Sequence, residues 1–372
     1  MTKNISILSA FLICILSTAV CQTSLNTKII KVDQQRIEKR IMELAQFGKD
    51  SNGNGYRVAY SKGDRDGRAY IIMLMKKAGL DVSIDYAGNI IGMRKGKSPG
   101  KNPIAFGSHI DMVPNGGNYD GCIGVISALE VIEVLNENKI ITNHPLLLII
   151  FSNEEGGEIG SHAFLGHLKK EALKEVSKSG LTIAQGIKAI GGNPDSIDEA
   201  KRKAGSITAY LEIHIEQGGI LEKEKTDIGI VEGIVGIEEW EVTINGFANH
   251  AGTTPMNNRQ DALLAAAKLI IAINEVINST PGRQVGNVGK IAAEPGAPNV
   301  IPGKVVLNLE LRDLSSDKIR EMYKEIEMRA AGISKTSNTT ISFRNLNMSS
   351  TPALMNNNIQ EIIKISAKNL GL

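Results

Sequence analysis

The sequence predicts an α/β protein in two parts, a sheet domain whose strands end in ligand-type residues and a βαββαβ unit inserted into it. Three observations carry this prediction. First, the runs Ile104-Ala105-Phe106, Leu146 to Phe151 and the stretch around Leu211 and Ile213 are apolar and bounded by Gly, Asn or Pro, and they read as buried strands. Second, each run leads into a polar cluster: Gly107-Ser108-His109-Ile110-Asp111 with Asp120-Gly121, then Asn153-Glu154-Glu155-Gly156-Gly157, then Glu212-Ile213-His214-Ile215-Glu216-Gln217-Gly218. Third, strand and helix patterns alternate as βαββαβ between residues 236 and 348. A chain of 372 residues is also longer than one core usually organises.

In chain order, Lys3 precedes an apolar run from Ile5 to Val20 that ends in small residues, so residues 1–21 read as a secretory signal peptide and the protein as exported, periplasmic or extracellular. The run is short for a membrane span, and a lipoprotein signal would want a small residue where Val20 stands before Cys21. The sheet domain occupies residues 29–235 and resumes at 349–372. Within the insert, strands are expected at Trp240 to Ile244, Val288 to Ala292, Val305 to Leu311 and Thr340 to Phe343. Helices are expected from Asp261 to Ile277 and from Asp317 to Ala331, where Ile319, Met322, Tyr323 and Ile326 share a face. The last residues form an amphipathic helix with Ile359, Ile362, Ile363, Ser366, Ala367 and Leu370 on one side.

Charge and composition exclude several classes of function. A formal net charge of +2 leaves no broad basic field, Arg94-Lys95-Gly96-Lys97 reads as a solvated turn, and Trp240 is the only tryptophan, so nucleic acid is not an expected partner. Cys14 and Cys21 fall in the signal peptide, leaving Cys122 alone in the mature chain without a possible disulfide or cysteine-metal cluster. At the start of an apolar helix, Cys122 is expected to pack and not to react.

The polar clusters suggest metal chemistry. Histidine binds metal as neutral imidazole and needs an acceptor to fix its tautomer, a role Asp111 is placed to fill for His109, while Asp120 is suited to bridging two cations. An isolated Glu-Glu pair is ordinarily solvated. Glu154 and Glu155 follow a six-residue apolar strand almost directly, where unpaired carboxylates are costly and a cation is one remedy. In α/β sheets, ligands bind beyond the carboxyl ends of the strands, which is where all three clusters fall.

These motifs, with Asp85-Tyr86-Ala87-Gly88-Asn89 and Asn249-His250-Ala251-Gly252-Thr253-Thr254-Pro255-Met256, occur in a recognisable order from about Ile37 onward. The chain resembles the amidase, hydantoinase and carbamoylase branch of the dinuclear zinc peptidase superfamily, which includes N-carbamoyl-L-amino-acid hydrolases, allantoate amidohydrolases and β-ureidopropionases. The resemblance implies a zinc-exopeptidase-like mixed-sheet catalytic domain with an inserted ferredoxin-like lid, through which members form homodimers. It also implies two divalent metal ions, zinc with manganese or cobalt as alternatives. Asp120 would bridge the metals, Glu155 would serve one, and His109 and His214 would serve the other. Glu154 would be the general base toward a hydroxide held between the cations. His250 would hydrogen-bond the oxyanion, across the dimer interface in relatives, and Asn299 and Arg312 would clamp a substrate carboxylate, with Gln217 lining the pocket. The substrate is then a small carboxylate-bearing carbamoyl or ureido compound.

Members of the branch carry a further metal-binding histidine in a C-terminal Gly-rich segment, and no histidine follows His250 here. The expectation is a fragment with one metal position short of a ligand and little turnover as it stands. Two alternatives remain open: a secreted exopeptidase or aminoacylase of the same superfamily, and a catalytically silent binding protein.

Overall fold

A computed structural model of the chain describes residues 30–98, 100–346 and 350–372. The expected signal peptide, with Cys14 and Cys21, lies outside the described residues, as does Ser349. The chain divides after Gln217 into two units, each with its own core.

The first unit is built on a mixed five-stranded sheet of β1 (Asp81–Ile84), β2 (Ile90–Arg94), β3 (Ile104–His109), β4 (Leu146–Phe151) and β5 (Ala209–Leu211), in the order β1-β2-β4-β3-β5. β3 runs parallel to both β4 and β5, while β1, β2 and β4 pair antiparallel. Side chains alternate between the faces of a strand, and β4 buries both sets. Leu146, Leu148 and Ile150 join a core made with α1 (Gln34–Leu44), α2 (Lys62–Lys77) and α3 (Cys122–Glu137). Leu147 and Ile149 face the other way, toward Phe164 of α4 (Ile159–Leu165). A short α5 (Ile183–Ala189) places Ile183 and Ile187 in a third cluster with Tyr60 and Ile159. Cover on both faces explains why β4 reads as an unbroken apolar run.

Two expectations need correction here. The third strand is neither long nor deeply buried: β5 is an edge strand whose ladder with β3 stops at Leu211, so Ile213 lies beyond the sheet and is 54% exposed. Arg94 is not part of a solvated turn. It closes β2 and donates to Asn136 Oδ1 at 2.9 Å and to the Ile140 carbonyl at 2.6 Å, tying the sheet to the end of α3.

The second unit begins with α6 (Ile220–Glu224) and the short β6 (Gly233–Ile234). Then follow β7 (Gly236–Asn245), β8 (Asn249–His250), α7 (Ala262–Ser279), β9 (Val285–Asn287), β10 (Ile291–Glu294), β11 (Val300–Ile301), β12 (Lys304–Asp313), α8 (Ser316–Ser337), β13 (Thr340–Asn345), β14 (Ala353–Leu354) and α9 (Asn357–Leu370). The antiparallel order β10-β12-β7-β13, with α7 and α8 against one face, is the expected βαββαβ arrangement. β6 and β14 pair at the two ends of this segment. Val305, Leu307, Leu309 and Leu311 are buried on the helix side of β12, and Trp240 stacks on Tyr323 of α8 with ring centroids 4.4 Å apart. α7 is long and apolar enough to cross a membrane by composition, yet Ala265, Leu269, Ile273 and Val276 along it are buried in this core.

Sequence periodicity misplaces two boundaries. The strand expected from Val288 to Ala292 is interrupted: β9 and β10 each pair with β12, and the Asn308 side chain accepts the Lys290 N–H at 2.7 Å in the gap between them. α8 continues through Gly332 to Ser337 because Ile333 still packs on the core, and it ends where Asn338 turns left-handed at φ 50°. The expected C-terminal helix is present as α9, with none of its residues buried.

Candidate metal centre

Parallel pairing brings the carboxyl ends of β3, β4 and β5 to one edge of the sheet, and each polar cluster begins there. His109 is the last residue of β3, Glu154 and Glu155 follow β4, His214 follows β5, and Asp120 precedes α3. His214 Nε2 lies 3.1 Å and His109 Nε2 3.9 Å from Asp120 Oδ1. One ligand atom from each of the three residues lies within 4.8 Å of the others. Donors on a tetrahedral zinc stand about 3.3 Å apart, so a small inward shift of these side chains would let them share a single cation.

Both imidazoles are in the tautomer that metal binding needs. His109 Nδ1 meets the Asp111 carbonyl at 3.0 Å and His214 Nδ1 meets the Ile215 carbonyl at 2.9 Å. A carbonyl only accepts, so Nδ1 carries the proton in each ring and Nε2 keeps its lone pair. Asp111 fills the expected acceptor role through its backbone, while its nearest carboxylate oxygen is 3.7 Å from Nδ1. The carboxylate instead accepts the N–H groups of Glu154 at 3.2 Å and Glu155 at 3.0 Å, holding the loop after β4 against the loop after β3.

Gly121 makes room for this arrangement. Its φ is +64°, and a Cβ there would stand 2.4 Å from the His109 ring. Beside the histidines, burial and the neighbouring Asp120 charge push the Glu155 carboxyl up. Two crowded carboxylates are the donor set that a second cation relieves. Gln217 is brought to the same place, donating to Asp120 Oδ2 at 2.7 Å, so it touches the centre and does not merely line a pocket wall.

Glu154 is held at its side chain as well as its backbone. Ser161 Oγ lies 3.1 and 2.9 Å from its two carboxylate oxygens, and burial pushes the carboxyl up to about 7 despite that hydroxyl. Ser161→Ala should lower turnover about tenfold with metal content unchanged, the scale of one hydrogen bond to a charged group, as steady-state kinetics with metal analysis would show. The Asp85–Asn89 motif is scaffolding for the same loop. Asp85 Oδ1 accepts the N–H groups of Ala87 and Asn89 at 2.9 and 2.8 Å, and Asn89 bridges the Gly160 carbonyl and the Ser152 N–H at 3.0 Å each. Cys122 is fully buried, its thiol pushed up by burial, with Arg57 Nη2 at 3.2 Å from the sulfur; it packs, as expected.

The remaining expected residues belong to the second unit. β8 and β11 form a two-stranded ribbon in which His250 pairs with Val300, next to Asn299, whose carbonyl accepts the Ala251 N–H at 2.9 Å. His250 Nδ1 accepts the Gly252 N–H at 3.2 Å, which places the proton of the neutral ring on Nε2 and makes that edge a donor. Arg312 lies on β12, on the face away from the helices, with Nε bonded to Glu310 Oε1 at 2.7 Å. Sequence reasoning assigned no role to Ser161, which stands apart from every motif, or to Ser108 and Glu212, which lie inside quoted motifs but carry no pattern of their own.

A mixed α/β sheet with two correctly tautomerised histidines, a shared aspartate and a half-buried Glu-Glu pair at its carboxyl edge defines the metal-dependent hydrolase class. Residues 105–371 match the model of Peptidase family M20/M25/M40, and the chain belongs to that family. It is 38% identical over 345 residues to the N-carbamoyl-L-amino acid amidohydrolase of Geobacillus stearothermophilus, covering 91% of this chain and 84% of that protein. With the ureidoglycolate hydrolase of Arabidopsis thaliana the identity is 34% over 355 residues, covering 92% and 75% respectively. Among solved structures, a hydantoinase/carbamoylase family amidase from Burkholderia ambifaria superimposes with a TM-score of 0.85 at 29% identity, over 92% of this chain and 84% of that one.

Proposed function

We propose that this chain is a metal-dependent amidohydrolase that cleaves a linear carbamoyl or ureido C–N bond, in an N-carbamoyl-L-amino acid or an allantoate- or ureidoglycolate-like substrate. The observation that carries the reading is the convergence of His109, Asp120 and His214, with Glu154 and Glu155 latched beside them by Asp111. Relatives named for carbamoyl and ureido hydrolysis support the substrate class.

His109, His214 and Asp120 would hold one divalent cation, and Asp120 with Glu155 a second, zinc being the best fit and manganese or cobalt acceptable to the same ligands. When bound, such cations lower the pKa of water and polarise the scissile carbonyl. Glu154 takes the proton of the attacking water and returns it to the leaving nitrogen. His250 of a second copy, as the family pattern implies, would donate from Nε2 to the oxygen that becomes negative as water attacks. Arg312 has its Nε occupied by Glu310, which leaves its two terminal amino groups to grip a substrate carboxylate beside Asn299. For a carbamoyl substrate the products are ammonia, carbon dioxide and the free amino acid. The βαββαβ unit joins two copies into a homodimer.

The test is ammonia release from N-carbamoyl amino acids, allantoate and ureidoglycolate, set against cleavage of dipeptides. Carbamoyl or ureido turnover is expected when the branch's C-terminal histidine segment is supplied, abolished by a chelator and restored by Zn²⁺, Mn²⁺ or Co²⁺. Hydrolysis of dipeptides alone, or turnover indifferent to chelation, would overturn the reading.

A further inference from the structure

The backbone ladder between β3 and β5 ends at the Phe106–Leu211 pair, before either histidine is reached. Beyond that pair a side-chain bridge ties the two segments together. Ser108 Oγ donates to Glu212 Oε1 at 2.5 Å, and Tyr210 Oη donates to Glu212 Oε2 at 2.7 Å. Ser108 is the residue before His109, and Glu212 stands two before His214. From behind, α3 packs directly on both segments: a Cβ on Gly124 would lie 2.7 Å from the Ile213 carbonyl oxygen and 2.8 Å from Ser108 Cβ.

We propose that Glu212 is a positioning residue of the metal centre, clamping the two histidine-bearing segments at the separation that lets both rings reach one cation. A side-chain bridge takes over where the backbone rungs stop, so the segments stay tied beyond the ladder. The ring centroids of His109 and His214 then stand 6.2 Å apart with both Nε2 atoms toward Asp120. Both oxygens of Glu212 already accept from hydroxyls, which marks it as a strut and neither a ligand nor a base. The inference rests on the reading that His109, Asp120 and His214 hold metal.

The experiment titrates Co²⁺ and Zn²⁺ into metal-free protein, reading affinity by chelator competition and the visible spectrum of bound Co²⁺. Glu212→Ala and Ser108→Ala are each expected to weaken the site about 10- to 100-fold and to change the Co²⁺ spectrum, the scale seen when a partner that orients a ligand is lost. Ser108→Thr, which keeps the hydroxyl, should restore most of that affinity, and Glu212→Gln, which keeps the shape, should fall between. The double alanine variant should bind no more weakly than the single ones, because both remove one bridge. Wild-type affinity and spectrum in Glu212→Ala would overturn the proposal, as would a failure of Ser108→Thr to bind better than Ser108→Ala. His214→Ala separates the two layers: loss of metal there with none in Glu212→Ala sinks the clamp alone, whereas wild-type binding by His214→Ala sinks the metal reading beneath it.

Discussion

Replacing Glu154 with glutamine is expected to lower kcat about 1000-fold while leaving metal content and KM nearly unchanged, within the range by which a general base accelerates proton transfer. The amide fills the same space and still accepts from Ser161, so the loss reports the missing basic oxygen. Burial pushes the Glu154 carboxyl up to about 7, with Ser161 opposing and the neighbouring charges of Asp111, Glu158 and Glu212 reinforcing the shift. Bound cations favour its ionised form and draw it down. The base works when deprotonated, so the acid limb of kcat/KM should rise with pH at or below 7 and should vanish in Glu154→Gln. A variant with kcat within tenfold of wild type would remove Glu154 from the role.

Gly121→Ala is expected to empty the metal centre although it alters no ligand. At φ +64° and ψ −40° the glycine holds a backbone conformation that residues with a Cβ rarely adopt. The larger effect is steric, because the added methyl would stand 2.4 Å from the His109 ring. The ring is anchored at Nδ1 to the Asp111 carbonyl, so it must break that bond or swing Nε2 away from Asp120. A displacement of about 1 Å in such a site costs on the order of 100-fold in rate. Metal analysis after gel filtration and steady-state kinetics would both show the loss, and normal metal content with normal kcat would contradict it.

Sequence and structure agree where a short pattern forces a local geometry. The apolar run from Leu146 to Phe151 is β4 to the residue, because a strand covered on both faces admits no polar side chain. Asp261 begins α7 as expected, its carboxylate accepting the N–H groups of Leu263 and Leu264. The meeting of His109, Asp120 and His214 follows from their places at or just beyond the ends of strands that pair in parallel. What escaped is whatever depends on meeting across the fold. Asp111 is placed by spacing to supply an acceptor to His109, but only the folded loops show its carboxylate reaching the Glu154 and Glu155 N–H groups. Ser161 is invisible to any spacing rule because α4 decides that it faces Glu154. β5 was overestimated because Ile213 is apolar but lies past the last ladder pair, where apolarity no longer reports burial in the sheet.

The parallel pairing of β3, β4 and β5 has a bearing on how such a chain can vary. Their alignment is set by hydrogen-bond register, with His109 opposite Phe151 on one side and Phe106 opposite Leu211 on the other. The number of residues between one ligand and the next does not enter into it. Chain can be added in the turn between α3 and β4, or in the long passage between α4 and β5, without changing the distance from one donor atom to another. The centre is therefore tolerant of insertions and deletions at the places where they most easily arise. A slip in strand pairing is the change of length it does not tolerate, because it would shift one ligand-bearing segment against the next.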